Sequence, residues 1–377
     1  MLIAVPAETD PAERRVAATP ETVKKLSGLG AEIRVESGAG QKSGLRDQDY
    51  SQAGAEIVPS LAAAVSGADI ILRVRRPTAA ELAGAKPGAA VLAIMDPYGN
   101  AEALKSIAVT RVCAFAMEFV PRITRAQTMD VLSSQANVAG YRAVIDAAAE
   151  YGRVIPMMMT AAGMIQPAKI FIMGVGVAGL QAIATAKKLG AIVTATDVRP
   201  ATKEQVVSLG AKFVAVEDEE FKQAETAAGY AKEMSAAYKA KQAALIAEHI
   251  SAQDIVITTA LIPGRPAPVL VSAAMVESMR PGSVIVDLAV ERGGNCELSK
   301  AGETVVSKNG VIIVGCVNLA GQVPATASAL YAKNLLAFAE TMIDPKSKAL
   351  AIKWDDELVK ATLLTKDGAL VHPSLNA

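Results

Sequence analysis

Short apolar runs alternate with stretches whose apolar residues recur at helical spacing. Residues 2–5, 32–36, 56–58, 70–74, 90–94 and 113–116 predict strands, and residues 20–29 and 47–53 predict helices among them. The runs are continuous, as expected for strands covered on both faces, so the pattern predicts a parallel sheet layered with helices. Residues 134–151 carry Ala, Val and Ile at helical spacing, broken only by Gly140, and predict one long helix that bridges two domains. A second series follows: strands at 170–173, 192–195, 213–216, 255–258, 284–287 and 311–314, with a helix at 180–189. Residues 328–340 predict another helix, and the runs at 350–353 and 363–364 are expected to return to the first domain. The stretch 217–251 is polar and alanine-rich, too long for an ordinary connection between strand and helix.

Length and composition narrow the picture. At roughly 100–200 residues per domain, 377 residues make two domains. Hydrophobic residues are 51% but aromatics only 4%, so the cores are built of Ala, Val, Ile and Leu. Lys+Arg and Asp+Glu number 38 each, which gives no electrostatic reason for a nucleic-acid partner. The widely spaced Cys113, Cys296 and Cys316 form no metal-binding pattern and are expected to be buried free thiols. No metal site is expected. The N-terminus lacks the basic and apolar regions of a signal peptide, and neither 170–186 nor 309–332 suits a membrane span, so cytoplasmic residence without direct membrane insertion is expected. Met157, Met158, Met159 and Met164 are expected to be adaptable core packing. The two histidines, His249 and His372, fall in polar or terminal stretches and read as surface or loop residues rather than catalytic bases.

Gly174-Val175-Gly176-Val177-Ala178-Gly179 follows an apolar strand, opens a helix, and is followed about 20 residues later by Asp197 at the end of the next strand. That context predicts a dinucleotide site. Gly174 allows the tight turn, Gly176 lets backbone N–H groups approach a pyrophosphate, and Gly179 lets the helix pack on the strand. The helix N-terminus then attracts the anion. Asp197 suits the ribose hydroxyls and repels a 2′-phosphate, favouring NAD(H); Val198 flanks it, and Arg199 is the one objection. The expected fold is therefore α/β with two Rossmann-like domains and the nucleotide in the interdomain cleft. One domain comprises residues 1–133 completed by 320–377; the other, 134–319, carries the NAD(H) fingerprint.

Longer motifs sharpen this. The chain carries MEFVPRITRAQTMDVLSSQ at 117–135, AGYRAV at 139–144, PMMMTAA at 156–162, TALIPGRPAP at 259–268 and DLAVERGGNC at 287–296, and the likeness they carry covers nearly its whole length. In these it resembles the NAD(H)-binding component of proton-translocating nicotinamide nucleotide transhydrogenases, a family related to alanine dehydrogenase. The resemblance implies hydride transfer between NADH and an NADP⁺ held by a partner component. It implies a homodimer working with an NADP(H)-binding component and a membrane-spanning component, on the cytoplasmic face of a bacterial inner membrane. It also implies that residues 122–133 lie over the nicotinamide, with Arg122, Gln127, Asp130 and Ser133 as its polar groups. Tyr230 then belongs to a loop that closes on the nucleotide, and Ala260 and Leu261 line it.

Alanine dehydrogenase is the rival. It shares the Arg15-Val16-Ala17 region, in which Arg15 matches a carboxylate-binding arginine, and Glu291 matches an acidic position near its active site. Its catalytic histidine is replaced here within Met95-Asp96-Pro97-Tyr98, and its lysine within Val74-Arg75-Arg76-Pro77. Transfer between two nicotinamides needs no such base, because neither carbon loses a proton.

Overall fold

The computed structural model describes residues 1–222 and 234–375. These form two compact units: residues 1–135 with 320–377, and residues 136–319.

In the first unit, β1 (Leu2–Val5), β2 (Glu32–Glu36), β3 (Glu56–Val58), β4 (Ile70–Arg75), β5 (Ala90–Ile94) and β6 (Cys113–Ala116) form an all-parallel sheet in the order β3-β2-β1-β4-β5-β6. Alternate residues feed opposite faces: Ile3, Val5 and Leu72 enter one core, Ala4, Ile71 and Val91 the other. Each fully buried aliphatic side chain contributes about 1.5–3 kcal/mol. The helices are α1 (Pro20–Gly28), α2 (Asp47–Gln52), α3 (Leu61–Val65) and α4 (Ala101–Val109). Helix α1 starts where it does because Thr19 and Thr22 each bind the other's backbone N–H and proline occupies the first turn. Helix α5 (Val131–Glu150) carries the chain from this unit into the next.

After α5 the second unit continues with a hairpin, β7 (Met158–Thr160) and β8 (Gly163–Ile165), in which every residue is exposed. This corrects the expected core role of the methionines: Met157 is 57% exposed, Met159 74% and Met164 51%. An apolar run shows that a surface favours burial, not that the same chain supplies the cover. Then come β9 (Lys169–Met173), α6 (Val177–Lys188), β10 (Ile192–Thr196), α7 (Thr202–Ser208), β11 (Lys212–Phe213), α8 (Glu219–Lys222) and α9 (Ala236–Ile250). Strand β12 (Ile255–Thr258), α10 (Ala273–Ser278), β13 (Val284–Asp287), β14 (Thr304–Val306) and β15 (Ile312–Val314) complete it. The sheet runs β11-β10-β9-β12-β13-β15-β14, parallel except for β14 at one edge.

His249 is not a loop residue. It lies in the last turn of α9, edge-on to Phe171 with centroids 4.7 Å apart and 2.9 Å from the Thr194 hydroxyl. Burial pushes its pKa down, and Lys212 and Lys169 add to that. The chain returns to the first unit as α11 (Pro324–Glu340), α12 (Glu357–Thr362), β16 (Thr365–Lys366) and β17 (Ala369–Leu370). Leu364 and Thr365 bond the Ala114 backbone there, and His372 is half-buried against Phe119. Cys113 and Cys296 are buried free thiols, while Cys316 is half-buried.

Candidate nucleotide site

The chain order of the second sheet reverses between β9 and β12, and the crevice outside the carboxyl ends of such strands is where α/β sheets take ligands. Gly174 turns the chain there with φ +101°, and its carbonyl accepts the Thr259 hydroxyl at 3.0 Å. A Cβ on Gly179 would lie 1.9 Å from that carbonyl, so only glycine lets α6 start so close to β9. Gly176 differs: its φ is −80°, and a Cβ would meet nothing within 4 Å. Neither backbone conformation nor packing demands glycine at 176. What a side chain would fill is the open space over the turn, so the residues present fit a dinucleotide's pyrophosphate. No side chain caps the N-terminus of α6, leaving its first N–H groups to an anion.

Asp197 lies just beyond β10 and accepts the Val175 N–H at 2.8 Å. Arg199 grips the same carboxylate through its backbone N–H, Nε and Nη2 at 2.9, 2.9 and 3.0 Å. Arg199 and Asp197 thus offset each other's charge. Val175 is buried, whereas Val177 and Val198 are exposed and Ala178 is half-buried at the edge of the turn. Ala260 follows β12 across the crevice, and Leu261 beyond it is 53% exposed. A hollow of about 390 Å³ between Tyr151, Lys169, Ile192, Asp254 and Arg280 lies at the opposite, amino edge of the sheet and has no glycine turn.

Arg15, Arg122, Gln127, Asp130 and Ser133 belong to the first unit. Asp130 precedes α5 and caps it, its carboxylate accepting the Ser133 N–H at 2.9 Å and the Ser133 hydroxyl. Arg122 and Gln127 are exposed. Their loop is anchored by Arg125, which grips Asp356 and Glu357 at the start of α12, and by Asn334, which donates to the Thr128 carbonyl. Tyr230 lies outside the described residues. Arg15 is 4% exposed and fully engaged, with Nε and Nη2 on Glu13 and Nη1 on Gln135. Burial alone would raise the Glu13 pKa, but the hydrogen bonds and charge of Arg15, with Arg75, hold it down to about 2. Glu291 accepts the Asn318 N–H.

Two residues escaped sequence reasoning. A Cβ on Gly140 would fall 2.0 Å from the Ala178 carbonyl, so the one glycine in α5 admits the fingerprint turn. The signal was its isolation in a helical pattern. Asn295 carried no signal beyond its motif. Among the described residues no group of His, Cys, Asp and Glu could hold a metal, and no helix is long and apolar enough to cross a membrane.

The family described as "Alanine dehydrogenase/PNT" matches through its N-terminal domain over residues 4–139 and its C-terminal domain over residues 143–373. The chain is 54% identical to a Rhodospirillum rubrum protein named as the first portion of NAD(P) transhydrogenase subunit alpha, covering 100% of this chain and 99% of that protein. The crystal structure of a transhydrogenase from Sinorhizobium meliloti is 59% identical, covers 98% of this chain and 100% of its own, and superimposes with a TM-score of 0.90. An L-alanine dehydrogenase structure is 28% identical over 100% and 98% of the two chains, with a TM-score of 0.84.

Proposed function

The chain belongs to the alanine dehydrogenase/PNT family, and within it we infer the transhydrogenase branch: the protein is the NAD(H)-binding subunit of a proton-translocating NAD(P) transhydrogenase. The observation that carries this reading is the state of the positions where dehydrogenase relatives keep their substrate groups. Asp96 stands near the place of the histidine, its N–H bound to Glu118, and Arg75 stands for the lysine, its Nε on Glu13 at 2.8 Å. Both stretches are tied into the first unit's own framework.

NADH supplies a hydride, and the protein's task is to orient it and exclude water. The 174–179 turn holds the pyrophosphate, Asp197 the adenosine ribose, and Ala260 and Leu261 flank the crevice. Arg122, Gln127, Asp130 and Ser133 serve the nicotinamide end, and Tyr230 closes on it. The acceptor NADP⁺ sits on a separate NADP(H)-binding component, and a membrane-spanning component couples transfer to proton movement. This subunit is then peripheral on the cytoplasmic face of a bacterial inner membrane. The exposed hairpin of β7 and β8, rich in Met, supports a homodimer, since an apolar surface of that kind seeks cover from another chain.

Reconstitution tests the reading. The purified chain mixed with an NADP(H)-binding component is expected to pass hydride from NADH to an NADP⁺ analogue. Robust NAD-dependent oxidation of alanine by the chain alone would overturn it.

A further inference from the structure

We propose that Asn295 is the positioning residue of the loop that carries Ala260 and Leu261, and that it sets hydride-transfer rate more than nucleotide affinity. The inference rests on the transhydrogenase reading above.

Asn295 is fully buried. Its Oδ1 accepts the Ala260 N–H at 3.0 Å, and its Nδ2 donates to the Ala260 carbonyl at 2.9 Å and the Pro268 carbonyl at 2.8 Å. Its own carbonyl accepts the N–H groups of Leu270 and Val271. One residue therefore pins both ends of the loop, between which residues 261–266 are exposed. Asn295 is itself placed by Asp287 at the end of β13, which accepts the N–H groups of Asn295 and Cys296 at 2.8 and 3.0 Å and the Ser299 hydroxyl at 2.7 Å. Gly293 and Gly294, both at positive φ, make the bend that delivers it. On the other side, Thr259 bonds the Gly174 carbonyl of the fingerprint turn.

The one donor of Ala260 is consumed by Asn295 and its carbonyl already accepts a bond from the same side chain, so Ala260 offers a ligand its position more than its hydrogen bonds. The pyrophosphate and ribose contacts belong to other residues. Loosening the clamp shifts the far wall of the crevice and leaves those contacts in place, which is a fault of alignment.

The test is Asn295→Ala in the full chain, reconstituted with the NADP(H)-binding component. Transfer at saturating NADH, counted per NADH bound, is expected to fall at least about fivefold, with NADH affinity kept within about threefold. Asn295→Asp keeps the acceptor but aims a second oxygen at two carbonyls, and should fall at least as far. A smaller drop per bound NADH, or a loss confined to affinity, overturns the proposal. If Asn295→Ala binds no NADH because it does not fold, Ser299→Ala decides. Loosening Asp287, it is expected to slow transfer at least about twofold, and a smaller change overturns the proposal. Absence of transfer by the unmodified chain would overturn the transhydrogenase reading instead.

Discussion

The two units solve the same topological problem in opposite ways. Both sheets reverse their order beside the first strand, between β1 and β4 in one and between β9 and β12 in the other. The correspondence extends to single bonds. Two residues past β1, the Ala7 N–H donates to Glu36 at the end of β2 at 2.8 Å; two residues past β9, the Val175 N–H donates to Asp197 beyond β10 at the same distance. The next residue separates them. In the first unit it is Glu8, whose buried carboxylate accepts the Val74 and Arg75 N–H groups and pairs with Arg73. In the second it is Gly176, with open space where a side chain would stand. Topology offers a crevice in both, and one residue decides whether the chain's own side chain fills it or leaves it open.

The largest effect should come from unbalancing the filled crevice. Glu13→Gln removes the carboxylate shared by Arg15 and Arg75, leaving the buried Arg15 guanidinium and the partly exposed Arg75 without their charge partner. A carboxyl held at about 2 instead of its ordinary 4.5 is worth roughly 3 kcal/mol. Because this pKa is depressed on folding, that stability is fully present above pH 4.5 and is lost as pH falls through about 2. Denaturant unfolding of both proteins should show the gap at pH 7 and its closure across that window. A constant gap would mean that Glu13 acts through packing and not charge.

Gly176→Glu copies the filled crevice into the open one. The backbone accepts the change, so the fold should be kept, and NADH affinity by fluorescence titration should fall about a hundredfold or more, near 2.7 kcal/mol. Unchanged affinity would break the comparison. The smallest effect separates the matched bonds. Glu36→Ala and Asp197→Ala should each cost about 1 kcal/mol of stability, but only the second should also weaken NADH binding, about tenfold. Equal effects on binding would remove Asp197 from the ribose site.

The sheets were legible because continuous apolar runs such as 2–5, 90–94 and 255–258 have no stable place except between covering layers. Ends were less so. Helix α11 begins at Pro324, four residues before the expected start, because proline suits a first turn. Strand β11 is Lys212 and Phe213, sharing only Phe213 with the run at 213–216, and much of the polar stretch at 217–251 is helix α9, which buries Tyr238, Ile246 and Ile250. The methionine run gave its character but not its cover. In the candidate site, spacing placed the glycine turn and Asp197 together, since both follow from one strand-turn-helix-strand unit. Asn295 stayed hidden because its work is bonding to a backbone 35 residues away, which no local pattern records.

Asp130 carries a consequence in time rather than place. Its carboxylate already serves the start of α5 through Ser133. A ligand that draws it away from Ser133 gives up about 1 kcal/mol of capping. Binding is then about fivefold weaker than the contact alone would give, and the helix pulls the carboxylate back as soon as the ligand loosens. On the proposed assignment of Asp130 to the nicotinamide end, a grip that the helix can reclaim favours turnover over retention in a subunit that exchanges NADH for NAD⁺ at every cycle.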